Sequence, residues 1–163
     1  MTLKAKHRKP QATRYTLFHE MCASPVDPLP ESWQRTQLTS MWDGLAQLEA
    51  GKAPGPEDWS VCSDAVNLLE TLVTQGEVED TQGLLSDAIT ALAQAGQRHK
   101  AGQALRLSGP GMQAVRAVLE DYAEVMAVLP ARTMIRCHRL TEKRLMAILA
   151  GKRQAHDVCV VTV

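Results

Sequence analysis

The chain predicts a mainly α protein, a bundle of about five helices with a short C-terminal β-strand that either pairs with an N-terminal strand or exchanges between two copies. Three observations predict it. Ala- and Leu-rich stretches with few β-branched residues favour helix. Apolar residues recur at helical spacing in five separate segments, and Gly, Pro or a capping residue bounds each segment. Only 4% of the 163 residues are aromatic, with a single Phe. The core must therefore be aliphatic, with Trp33, Trp42 and Trp59 as its large anchors. A chain of this length forms one domain. It divides into a basic arm (1–14), a helical domain (15–156) and a terminal strand (157–163).

After the arm, Thr13–Phe18 predict a short strand. Pro25, Pro28 and Pro30 then delay regular helix. The first helix runs from Pro30 to Ala50 with Trp33, Leu38, Met41, Trp42, Leu45 and Leu48 as its apolar positions, and Gly51 ends it. The second starts at Pro56, with Glu57 and Asp58 placed where the helix dipole favours negative charge. Its stripe is Trp59, Cys62, Val66, Leu69, Leu72 and Val73, and Gly76 is its C′ residue. A third helix begins near Asp80 or Thr81 and runs toward Leu105. Gly96 and Gly102 each cost up to about 1 kcal/mol relative to Ala, which predicts a bend or break near Gly96. Ser108 caps a fourth helix, Leu107 and Met112 have hydrophobic-staple spacing, and Pro130 ends it. A fifth spans Thr133 to Ala150. The tail Asp157-Val-Cys-Val-Val-Thr-Val163 is the strongest strand signal.

Charge is sorted along the chain. The net charge is +0. Residues 1–14 hold Lys4, Lys6, Arg8, Lys9 and Arg14 and no acid. Residues 15–92 hold thirteen acids against Arg35 and Lys52. Residues 98–116 hold four bases, and residues 132–153 seven bases against Glu142. Such segregation bears on partner choice and association rate. On the fifth helix, Arg132, Arg136, Arg139 and Lys143 share a narrow arc opposite Met134, Cys137, Thr141, Leu145, Ile148 and Leu149. They predict an exposed basic ridge that binds an acidic protein surface or phosphates. The alternative is pairing with the acidic middle of the same chain.

His19-x-x-Cys22 and His156-x-x-Cys159 would converge if the two terminal strands paired, giving a Cys₂His₂ set suited to zinc. The spacing is looser than that of zinc motifs, and buried Cys is commonly inert, so no metal is expected. Cys137 and His138 are adjacent on a helix and point about 100° apart, so they form no dyad. No phosphate-loop, nucleophile-elbow or dinucleotide motif occurs. The expectation is a protein without a cofactor and without catalytic residues. No apolar run approaches the roughly 20 residues that span a bilayer, and no secretory signal is read. Scattered cysteines without such a signal predict a reduced, cytoplasmic setting with no membrane partner.

Leu105-Arg-Leu-Ser-Gly-Pro-Gly-Met112, the helix through Tyr122, and Arg136-Cys-His-Arg-Leu-Thr-Glu-Lys-Arg144 resemble small uncharacterised helical proteins of proteobacterial phages, prophages and mobile elements. The resemblance covers about a third of the chain. It implies a bacterial setting and transfers no site residue. The expected function is a non-enzymatic protein-interaction module, as an accessory or inhibitory protein of such an element. The alternative is a nucleic-acid-binding protein using the basic arm and the basic face of the last helix. The terminal strand also offers a route to a homodimer.

Overall fold

The computed structural model describes residues 15–151. The arm and the expected strand at Asp157–Val163 lie outside them. Among the described residues the chain is mainly helical: α1 (Leu17–Cys22), α2 (Glu31–Ala50), α3 (Pro56–Thr74), α4 (Leu85–Lys100), α5 (Gly109–Val128) and α6 (Ala131–Leu149). Five correspond to the expected helices, and α1 is additional.

The α1 helix overturns the predicted strand at Leu17 and Phe18. Thr16 starts it: the Thr16 Oγ1 accepts the His19 N–H at 3.3 Å, and the Thr16 N–H donates to His19 Nδ1 at 3.0 Å. This reciprocal cap outweighs the β-propensity of Tyr, Thr and Phe in the segment.

The α2 and α3 boundaries follow their local signals. Gly51 closes α2 at φ 62°, where a side chain would be strained, and its N–H reaches the Gln47 carbonyl. The Asp58 carboxylate accepts the Gly55 N–H at 2.7 Å and begins α3 after Pro56. The α3 helix is buried on most of its circumference, from Trp59 through Val66 to Leu72. It is the central helix, in contact with α2, α4, α5 and α6.

The third predicted helix is shorter than expected. Gly83 turns the chain at φ 65°, and the Asp80 carboxylate accepts the Leu85 N–H, so α4 starts at Leu85. The helix passes unbroken through Gly96, which lies against the Trp59 ring; a Cβ there would sit 3.0 Å from Cζ2. Trp59 Nε1 also donates to the Leu92 carbonyl at 2.9 Å. This packing offsets the propensity cost of glycine. The helix ends at Lys100, and Gly102 lies beyond it.

Ser108 caps α5 by accepting the Gly111 N–H at 3.1 Å, and the staple residues Leu107 and Met112 both pack on the core. After Pro130, α6 begins at Ala131, two residues before Thr133, because the Ala131 and Arg132 N–H groups find the Asp27 and Ser24 carbonyls at 2.8 and 3.0 Å. Those bonds tie the proline-rich segment to the start of α6.

Candidate functional site

The α6 helix buries Met134, Ile135, Cys137 and Thr141. Its seam with α3 is partly polar: the Thr71 and Thr141 hydroxyls meet at 2.7 Å, and Arg144 donates to the Asn67 carbonyl at 3.2 Å and to Glu70 at 2.7 Å. The expected basic arc lies on the other side, but it is not a uniformly open ridge. Arg136 pairs with Glu77, and Arg139 pairs with Glu20. Both arginines are half-buried. Arg132 is exposed yet donates to the Ala23 and Met21 carbonyls at 3.2 and 3.3 Å. Lys143 is exposed.

Among the described residues, four ion pairs link an arginine of the C-terminal half to a glutamate of the acidic middle: Arg116–Glu49, Arg136–Glu77, Arg139–Glu20 and Arg144–Glu70. Charge blocks separated in sequence therefore meet in the fold. Part of the field that segregation would project is thereby satisfied within the chain, Arg136 and Arg139 of the ridge included.

The anomaly of the surface is α1. Residues 20 and 21–23 meet residues 139 and 132, so α1 runs antiparallel to α6. A short amphipathic helix on a domain ordinarily turns its apolar face inward. Here Glu20 faces α6, while Leu17, Phe18 and Met21 are 55%, 72% and 68% exposed. Tyr15, just ahead of the helix, places its ring 5.3 Å from His138 and 6.2 Å from Trp33. Beyond the α1 contact, the last turns of α6 expose Met146, one turn on from Lys143, and also Leu149, which the sequence pattern places on the inward face. An apolar surface with cationic neighbours results. Sequence reading missed Leu17, Phe18, Met21 and Glu20. The signals were the Thr16/His19 cap and the i, i+4 spacing of Leu17 and Met21, both hidden by the strand assignment.

Among the described residues, the other singled-out side chains are dispersed. His19 Nδ1 is taken up by the Thr16 cap, and Cys22 is exposed. His156 and Cys159 lie outside the described residues. Burial, followed by the nearby Asp58, Asp64 and Glu49 carboxylates, pushes the Cys62 thiol from 9.0 up to about 12. Burial also raises Cys137, against the opposing charge of Arg136. Neither is a thiolate at neutral pH. His138 turns away from Cys137 toward the Tyr15 and Trp33 rings. Two shallow depressions are open to solvent, one beside Arg106–Gly109 and Glu49, the other along Glu31, Arg35, Leu38 and Trp42 of α2. No described helix is long and apolar enough to cross a membrane. No family model, curated protein or solved structure matches this chain.

Proposed function

We propose that this protein is a non-enzymatic protein-interaction module whose contact surface is the outward face of α1. Its partner is a protein surface with an apolar centre and an acidic rim. The carrying observation is the exposure of Leu17, Phe18 and Met21 on a helix whose acid is turned inward. Large apolar side chains grouped on one face mark interaction sites. The exposed Arg132 and Lys143, with the five bases of residues 1–14 leading into α1, supply the charge that an acidic rim complements. The nucleic-acid alternative has less support, because Glu77, Glu20 and Glu70 already hold Arg136, Arg139 and Arg144. The resemblance around Leu105–Met112 and Arg136–Arg144 supports a role as an accessory or inhibitory protein of a phage or mobile element.

The test is affinity capture from bacterial lysate, with and without nuclease treatment, using wild-type protein, Phe18→Asp, and Arg35→Glu as a control on α2. Burying a Phe side chain contributes about 1.5–3 kcal/mol, so Phe18→Asp should weaken a genuine α1 contact about 10- to 100-fold. Capture of a protein that Arg35→Glu retains and Phe18→Asp loses is the expected result. Equal capture by all three proteins, or loss on nuclease treatment, would overturn the reading.

A further inference from the structure

We infer that Glu20, Arg132 and Arg139 form a polar clamp that decides which face of α1 points outward, and so act as positioning residues for the docking face. This rests on the reading of α1 as the contact surface. A helix of six residues does not hold itself together, because nucleation costs more than so few bonds return. Its orientation is therefore imposed by what it sits on. Burial of apolar surface by itself favours a rotation of about a third of a turn that would bring Leu17, Phe18 and Met21 against α6 and move Glu20 toward water. The observed orientation is the reverse, so the polar contacts outweigh that preference.

Those contacts act at three points. Glu20 pairs with Arg139, and the two side chains are only 17% and 30% exposed, which limits screening by solvent. Arg132 donates to the Met21 and Ala23 carbonyls at the C-terminal end of α1, where helix carbonyls lack partners of their own. At the other end, the Tyr15 ring packs beside Trp33 and His138. The two arginines come from the arc that the sequence marks as a binding ridge. Their role on this reading is to present apolar residues to a partner, with no direct contact required.

The test is hydrogen exchange on the full chain, following the hydrogen-bonded amides of residues 19–22 in wild type, Glu20→Gln, Arg139→Gln, and the reversed pair Glu20→Arg with Arg139→Glu. Each single variant should lose about tenfold or more of its protection in α1 while the amides of α3 stay unchanged, since α1 opens as a local unit. The reversed pair should recover most of that protection. Wild-type protection in the single variants, or a reversed pair no better protected than they are, would overturn the clamp. The measurement needs no partner, so it separates from the docking test. Loss of capture by Phe18→Asp sustains the docking reading whatever the clamp variants show.

Discussion

Gly44 marks a close approach between α2 and α3, and Gly44→Ala tests how tightly that crossing is set. A Cβ at position 44 would lie 2.4 Å from Val61 Cγ2 and 2.8 Å from the Asp58 carbonyl oxygen. Ordinary contact begins at 3.4 Å, so the Val61 methyl must give by 3.4 − 2.4, or 1.0 Å. Val61 is β-branched on a helix and has little rotamer freedom. The Asp58 carbonyl belongs to the first turn of α3, so relief there requires backbone movement. Overpacking of this kind costs about 1–3 kcal/mol. The backbone contact with Asp58, together with the stiff Val61 methyl, places Gly44→Ala at or above the upper end of that range. Against it stands the gain in helix propensity, about 1 kcal/mol for Gly to Ala. The net expectation is a loss of about 2 kcal/mol. For a chain of this size that lowers the melting midpoint by about 4–8 °C. Gly109→Ala is the control, because nothing lies within 4 Å of a Cβ there. Thermal melts followed by circular dichroism, with urea midpoints at constant slope, measure both. A Gly44→Ala protein that melts at or above wild type would refute the reasoning and show that α2 and α3 separate at little cost.

The Arg144 and Glu70 side chains are 13% and 18% exposed, so Arg144→Leu should cost about 2–4 kcal/mol by stranding Glu70, and adding Glu70→Leu should recover much of it. Arg116→Ala, at the more open Arg116–Glu49 pair, should leave the melting midpoint within error; a loss equal to that of Arg144→Leu would contradict this ordering. In a Cys159→Ser background at neutral pH, Cys22 should react rapidly with a thiol reagent, while Cys62 and Cys137 react only on unfolding. The Cys62 thiol stays protonated in the fold after the unfolded thiol ionises near 9.0. The folded state then binds more protons, and stability should fall between pH 9 and about 12. Urea midpoints across that window should fall less for Cys62→Val than for wild type, and equal slopes would refute the assignment.

Within the described residues, the sequence by itself determined the helical class and the limits of α2, α3 and α5. The physical reason is locality. Gly51, Pro56 with Asp58, Gly76 and Ser108 act on backbone groups within a few residues, and the apolar stripes repeat at the pitch of the helix that they bury. The core followed from the same periodicity, because Trp59, Val66, Leu72, Val115 and Met126 had to face inward in any packing of those helices. Tertiary structure decided the rest. Whether α4 breaks at Gly96 depended on the Trp59 ring, which comes from 37 residues earlier. The Thr16/His19 cap that starts α1 is local, but the seat that holds so short a helix lies more than 100 residues downstream. The basic arc of α6 was legible as a pattern, but its use was not. The same four side chains can bind a partner or be satisfied by the chain's own acids, and helical spacing is identical in both cases. Only the approach of Glu20 and Glu77, from distant parts of the chain, paired Arg139 and Arg136 within the fold, and only the seating of α1 on α6 left Leu17, Phe18 and Met21 exposed.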